Sequence, residues 1–550
     1  MNEIQLRNVS QILDYIDSYI PELDDGAERE WLVQQVFAEY INHLNDMTTG
    51  DWLSSEGDIQ ELLESKGSYA RVYLYSRLLS ITGNPVYTDR ILNEVMVGSL
   101  RLNEKHFVYT QMKCLVFQKP DFKTADSEDL FRKVYQDILK EYRSRLRIPD
   151  RIPIEERNRG FVLVMTGQVL EIQHAPTKVA LNHCQVLIRA LGKEVLLINL
   201  ADTMSFTGVI PLHDIFMGNY VEAYSSEDYI TYKNVSIPFV QMDRGLPTVE
   251  GIQGLLDLIM EYRPYQILLI GGGSVTMDIC SLVSSSLLIP LSADMAVTYA
   301  DYQARGEDRN PVKSTDVMLR KPLITDIDRE VLSEIGKTES HLIPVRLNYA
   351  IDEQTHTYRR SDRGLPEGRT IGVVVGGRLD EEVGDDFLQM LDKAVSEGLY
   401  VTFVGGFDKG VRRITESAYP ALHANYTFVG YEDDLMALYD LVDLYINPYR
   451  AGGGTSAIEA LYKGVPVLTC RYGDIYDAVG DDFAVGAIGK KDYDEMEERI
   501  RLYLTDEKYY REQSEKARET AKEKVDNDQV IVDMMREFER RMTDGSIYEL

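Results

Sequence analysis

Residues 443–469 read DLYINPYRAGGGTSAIEALYKGVPVLT, and this stretch decides how the chain is built. A short apolar run, Leu444-Tyr445-Ile446, ends at Pro448. Gly452, Gly453 and Gly454 then lead into a helix-forming segment that begins near Thr455, stops at Gly464 and gives way to a new strand. A glycine turn opening a helix exposes backbone N–H groups that have no intrahelical partner. The helix dipole adds partial positive charge there, so the turn favours a diphosphate. The plainer reading of such a turn is a tight connection that only glycine can make. The hydroxyls of Thr455 and Ser456 can donate to a ligand, or one of them can cap the helix. Glu459 falls one turn further on, on the face that Thr455 begins, where its carboxylate can accept from a ribose diol.

Working outward, the runs TIGVVVGG, YVTFVGG, YTFVGY, DLYINP, VPVLTC and FAVGAI are each separated by a helix-length interval. An earlier series, FVLVMTG, EVLLINL, SIPFVQM, QILLIGGG and LLIPLSA, has the same rhythm. Such alternation is the sequence form of βαβ units around a buried parallel sheet. Ahead of both series, apolar residues recur at helical spacing, as in Val33, Val36, Phe37, Tyr40, Ile41 and Leu44, or Phe131, Val134, Tyr135, Ile138 and Tyr142. A polar stretch rich in turn residues, 350–368, separates the two series. The expected architecture is an all-helical N-terminal domain over 1–150, a first Rossmann-like domain over 151–349, a second over 350–525, and a C-terminal helix and tail over 526–550. Two facing Rossmann-like halves bind ligands at the carboxyl ends of their strands.

The string NPYRAGGGTSAIEALYKGVPVLT resembles the donor-binding signature of GT-B glycosyltransferases, especially the large retaining family, glycosyltransferase family 4-like, that includes sucrose and glycogen synthases. The resemblance implies a GT-B fold and places a diphosphate at Gly452, Gly453, Gly454, Thr455 and Ser456, with the ribose on Glu459. VVVGGRLDEE, residues 373–382, looks like the first strand and loop of the donor half, which makes Arg378 a phosphate contact. The segment 426–448 is similar to the one on which the nucleoside base rests, near Tyr431. Two positions depart from the family pattern. Ala451 stands where a glutamate facing the transferred sugar is common, and Val383 stands where a phosphate-binding lysine is common; Lys409 and Arg450 are the candidates to supply that charge from another loop.

By the same resemblance, the first half is the acceptor side. The loop 167–178, GQVLEIQHAPTK, follows its first strand, with Gly167 at its start and His174 as a general base, a hydrogen-bond donor or a structural loop residue. Gly273 and Ser274, after QILLI, make a second cradle for an oxyanion or hydroxyl, or a turn needed only for packing. Asp294 is a candidate carboxylate on the acceptor side.

The 550 residues carry 59 Lys+Arg against 90 Asp+Glu, a formal net charge of −31, which disfavours nucleic acid as a partner. The arginines at 143, 145, 147, 151, 157 and 159 sit beside Pro149 and Pro153, as expected of a solvated linker or a local docking patch. No apolar segment approaches the length of a membrane span and no signal peptide is read, so the chain is expected in the cytoplasm. Its four cysteines are far apart and suggest neither a metal site nor a disulfide framework. The function expected from the resemblance is metal-independent transfer of a hexosyl group from a nucleoside diphosphate sugar, a UDP-sugar first, with no further cofactor. The added helical domain has a parallel in protein glycosyltransferases, which favours a protein or peptide acceptor and allows homo- or hetero-oligomers. A cell-envelope polysaccharide or glycolipid glycosyltransferase and a catalytically inactive GT-B-like scaffold are the alternatives.

Overall fold

The computed structural model describes residues 9–11, 13, 14, 16–18, 56–172, 174–202, 220–291, 296–306, 322, 324–416 and 419–544. Asp294 and the helical pattern around residues 33–44 lie outside the described residues. Helices come first: α1 (Glu56–Glu64), α2 (Ser68–Thr82), α3 (Val86–Val97), α4 (Leu102–Gln118) and α5 (Ser127–Arg145). The spacing read in α5 is the spacing that is buried, with Phe131, Val134, Tyr135, Ile138 and Tyr142 all turned inward. Acidic residues in its first turn and arginines in its last complement the helix dipole.

The first sheet runs in the order β3-β4-β2-β1-β5-β6-β7-β8. Its strands are β1 (Asn158–Thr166), β2 (Glu194–Asn199), β3 (Tyr229–Tyr232), β4 (Val235–Gln241), β5 (Pro264–Ile270), β6 (Ser286–Ile289), β7 (Tyr302–Gly306) and β8 (Leu342–Val345), with helices α6 (Ala175–Arg189), α7 (Val249–Tyr262), α8 (Val275–Cys280) and α9 (Asp326–Glu334) between them. All seven residues of β5 are buried, as a central parallel strand covered on both faces requires.

The second sheet has the order β11-β10-β9-β12-β13-β14, every pair parallel. It is built from β9 (Ile371–Gly376), β10 (Tyr400–Gly405), β11 (Tyr426–Gly430), β12 (Leu444–Ile446), β13 (Val467–Cys470) and β14 (Ala484–Val485). Around it lie α10 (Leu379–Glu382), α11 (Asp385–Ser396), α12 (Asp408–Glu416), α13 (Pro420–Ala424), α14 (Leu435–Tyr439), α15 (Gly454–Lys463), α16 (Gly473–Val479), α17 (Tyr493–Thr505) and α18 (Glu507–Lys522). Strand order reverses at β1 in one sheet and at β9 in the other. At such a switch point the loops leaving neighbouring strands diverge and open a crevice.

The last helix, α19 (Asp528–Thr543), returns to the first half, where Ile531, Val532, Met534, Met535 and Phe538 share a core with Val162, Val164 and Leu268. The outward and return crossings run side by side: the Tyr349 amide donates to the Lys524 carbonyl at 2.7 Å and the Asp526 amide to the Tyr349 carbonyl at 2.9 Å. The arginine run around the connection from α5 to β1 is solvated at Arg143, Arg145, Arg147 and Arg159, as expected, and packed at Arg151 and Arg157. Arg157 is buried, with Nη1 donating to Ser285 Oγ at 2.6 Å, and Arg151 pairs with Asp301. Apolar neighbours on both sides draw these arginines inward to carbonyl, hydroxyl and carboxylate partners. The four cysteines are free and buried. Among the described residues no helix is long and apolar enough to cross a membrane.

The helical region is tied to the first sheet by Tyr135, whose hydroxyl donates to Asp278 Oδ2 at 2.5 Å in a fully buried setting. Asp278 also accepts from Thr298 Oγ1 and the Tyr299 amide, and burial pushes its carboxyl up. Tyr135→Phe removes one donor from a buried carboxylate and is expected to destabilise the chain by about 1–3 kcal/mol. Urea unfolding checks this; a midpoint equal to the wild type would remove the contact from the docking of the helices.

Candidate functional site

A cleft of about 1960 Å³ lies between the two halves, lined from the first by His174, Lys178 and Asn182 and from the second by Arg378, Gly452, Gly453, Gly454, Thr455, Ser456 and Glu459. The β9 and β12 loops meet here because those strands are neighbours at the switch point. The helix α15 starts at Gly454 after Gly453, whose φ of 103° is in the region where a side chain is strained, and ends at Gly464. Its first intrahelical bond runs from the Ala457 amide to the Gly453 carbonyl, so the N–H groups of Gly454, Thr455 and Ser456 have no intrahelical acceptor. A methyl group placed on Gly452 would lie 3.9 Å from Arg378 Nη2, which fixes the guanidinium beside the turn.

Arg378 is oriented from two sides. Its Nη2 donates to Glu382 Oε1 at 3.0 Å, while Glu382 Oε2 accepts from Arg450 Nη1 at 2.7 Å. Burial raises the Glu382 carboxyl, but the two guanidiniums more than offset that and hold it below the usual carboxylate range. Phe117, at the end of α4, packs its ring 5.3 Å from the Arg378 guanidinium carbon. The helical region therefore contributes a wall of the cleft.

Several sequence expectations change here. Arg450 is not free to meet a phosphate: it is buried, and it also donates to Asn447 Oδ1, to the Val375 carbonyl and to the Tyr445 hydroxyl. It passes so close to Gly376 that a side chain there would strike Nη1. Lys409 is not brought to the cleft either; it is largely exposed and sits 3.6 Å from Glu381. Val383 is in the apolar core. The Ser456 hydroxyl is taken by the Gly453 carbonyl and the Tyr445 hydroxyl, which leaves Thr455 as the hydroxyl facing the cleft. Tyr431 stands 70% exposed outside the lining, although Lys178 and Asp352 bear on its hydroxyl. Gly167, Gly273 and Ser274 do not line the cleft. Ser274 caps α8 and donates to Asp202 Oδ2 at 2.8 Å, and burial pushes that carboxyl up to about 7.

His174 precedes α6 and lines the cleft. Its Nδ1 lies 3.1 Å from Thr177 Oγ1, which already accepts from the Leu170 amide at 2.8 Å. The contact holds the ring by Nδ1, with the Thr177 hydroxyl donating when the ring proton is on Nε2 and accepting when it is on Nδ1. Burial first, and Arg378 second, push the imidazole down to about 4, so at neutral pH it is uncharged and presents a donor.

The residue that sequence reasoning left without a role is Lys178. Its Nζ donates to Glu459 Oε1 at 3.1 Å and pairs with Asp352 Oδ2 at 2.6 Å, all three lining the cleft. His174, Lys178 and Asn182 recur every four residues, the spacing of one helix face, and that was the available signal. Asn182 Oδ1 is buried with no hydrogen-bond partner among the described residues.

Two outcomes test this geometry. Arg450→Met leaves Glu382 with one guanidinium in a buried setting and is expected to cost about 3–5 kcal/mol in chemical unfolding. In nitrogen-15 spectra of histidine-labelled protein, with His174→Asn giving the assignment, His174 should stay neutral from pH 5.5 to 8. A midpoint near 6.5 would contradict the burial and charge argued for it.

Residues 359–520 match the family model described as glycosyl transferases group 1. No curated protein matches the chain. Among solved structures, a glycosyltransferase from Rickettsia africae is similar at a TM-score of 0.50 and 12% identity, over 70% of this chain and 99% of that one. An O-GlcNAc transferase mutant from Thermobaculum terrenum has a TM-score of 0.48 at 11% identity, over 100% and 98% of the two chains. The sucrose-phosphate synthase of Thermosynechococcus elongatus has 0.47 at 15%, over 70% and 99%. The chain has the GT-B fold behind an N-terminal helical region, and the similarity to the glycosyl transferases group 1 family lies in its residues 359–520.

Proposed function

We propose that the chain is a glycosyltransferase that moves a hexosyl group from a nucleoside diphosphate sugar to an acceptor in the cleft. The observation that carries this reading is the Arg378 guanidinium beside Gly452, at the N-terminus of α15, with Glu459 one turn further along the same helix. As the bond from the anomeric carbon to the diphosphate oxygen breaks, negative charge grows on the leaving phosphate. Arg378 and the N–H groups of Gly454, Thr455 and Ser456 are fixed where that charge develops, and groups placed in advance stabilise it with little reorganisation. Glu459 accepts from the ribose hydroxyls. In this reading the Thr177 hydroxyl donates to His174 Nδ1, and the uncharged ring donates from Nε2 to a sugar or phosphate oxygen. The chain's own cations and amides neutralise the leaving group in this reading, without a metal.

The acceptor in this reading is a protein or peptide. Support comes from Phe117, since a helical region that reaches the cleft wall extends the surface beside the site well beyond the footprint of a single sugar. A thermal-shift screen against UDP-, GDP-, ADP- and dTDP-sugars identifies the donor, because a ligand of the native state must raise its stability. With that donor, Arg378→Ala and Glu459→Ala are each expected to lower kcat/KM by roughly 10²–10³. Binding of no nucleotide sugar would favour a partner-binding scaffold, in keeping with Ala451 and the buried Val383. Label appearing in glycolipid and not in protein would overturn the acceptor.

A further inference from the structure

We infer that Lys178, a residue of the acceptor half, sets ribose recognition in the donor half by holding Glu459 as an oriented carboxylate. The inference rests on the reading of Glu459 as the ribose contact. Lys178 and Glu459 lie 281 positions apart on α6 and α15, their side chains 5% and 4% exposed, and they meet at 3.1 Å inside the cleft. A lysine buried to this degree requires compensation, and Asp352, in the connection between the halves, supplies it at 2.6 Å. Only Glu459 Oε1 is engaged by this lysine. The other oxygen has no hydrogen-bond partner among the side chains described around it, so the geometry leaves it for a ribose hydroxyl.

The groups bearing on Glu459 are Lys178 from α6, Asp352 from the connection, and Tyr439 from α14, whose hydroxyl donates to the Ser456 carbonyl. Burial pushes the Glu459 carboxyl up, Lys178 draws it part of the way back and Asp352 adds to the rise, which leaves it above the usual carboxylate range. Without Lys178 the carboxyl is held only by opposing influences, and it takes up a proton at a higher pH. A protonated Glu459 has one acceptor oxygen fewer for the diol. Lys178 is a positioning residue in this scheme: it acts through Glu459 and touches neither phosphate nor sugar. Because it belongs to the opposite half, the ribose contact is complete only when the two halves are apposed.

The test uses the full chain and the tightest binder among UDP, ADP and GDP, with its 2′-deoxy counterpart. Calorimetry is run from pH 5.5 to 8.5 on the wild type, Lys178→Met, Lys178→Arg, Glu459→Gln and the Lys178→Met/Glu459→Gln double variant. The wild type is expected to prefer the ribonucleotide by about tenfold or more, the worth of a hydrogen bond to a charged group. Glu459→Gln should abolish that preference at every pH. Lys178→Met should abolish it at pH 7 and regain part of it as pH rises, since the acid limb of ribonucleotide affinity moves to higher pH. Lys178→Arg should keep the preference, and the double variant should lose no more than Glu459→Gln alone. A Lys178→Met protein with the wild-type preference overturns the inference, and so does one that loses ribo- and deoxynucleotide binding by equal factors, the mark of a direct phosphate contact or of general disruption. Loss of the preference in Lys178→Arg as well, with melting temperature unchanged, also overturns it. A Glu459→Gln protein that still prefers the ribonucleotide, or a wild type with no preference, instead overturns the ribose reading beneath it.

Discussion

The carboxylate of Glu382 sits between two guanidiniums, and the donor side of the cleft is arranged around that constraint. A buried carboxylate must be neutralised. Arg450 supplies one charge from the loop after β12, and Arg378 supplies the other from the loop after β9. Loops from two neighbouring strands are thereby locked to each other at the point where strand order reverses. Gly376 must lack a side chain so that Arg450 can pass, and Gly453 must accept a positive φ so that the chain can turn into α15 around the same guanidinium. The position of Arg378 beside Gly452 is therefore a consequence of packing and charge balance in the loops themselves, present before any ligand arrives.

The helical region is fastened to both halves at once. Tyr135 and Tyr142 hold it to the first sheet, through Asp278 and the Pro247 carbonyl, while Phe117 on Arg378 and Asp121 near Lys491 hold it to the second. The aromatic face over Arg378 restricts the one cation of the loop that remains turned toward the cleft. With α19 returning to the first sheet and the paired crossings at Tyr349 and Asp526, the halves are joined by two hydrogen-bonded connections and spanned by a third element.

The sequence made the second half legible because its information is local. The stop at Gly464, the helix start after Gly453 and the order of apolar runs that become β9 to β14 are each encoded within a few residues of where they act. The fold of the first half was readable for the same reason, through buried runs such as β5. Side-chain partnerships were not, because they depend on groups far apart in the chain. Nothing near Arg450 signals that Glu382, 68 positions earlier, will absorb its charge. Ser274 looked available until Asp202, 72 positions away, took its hydroxyl. Arg151 and Arg157 read as part of a solvated run because composition alone cannot register Ser285 and Asp301.

Charge counting explains why the departures at Val383 and Ala451 leave a workable site. Arg378, Glu382 and Arg450 together carry one net positive charge, and of the three Arg378 is the exposed one. The pattern that the chain resembles places a lysine there as well. In the proposed function, with Val383 in the core, a larger share of the attraction for a diphosphate falls to the amides at the start of α15, whose orientation is fixed by the backbone. On the sugar side, Ala451 offers no carboxylate; its carbonyl accepts from the Asp474 amide at 2.7 Å and so braces the glycine turn from behind. In the proposed function the groups that face the transferred sugar then come from across the cleft, where His174, Lys178 and Asn182 line it at four-residue spacing. If the second half is the donor half, as proposed, it relies on fixed dipoles and borrows polar side chains from the first, so its contact set depends on the apposition of the two halves.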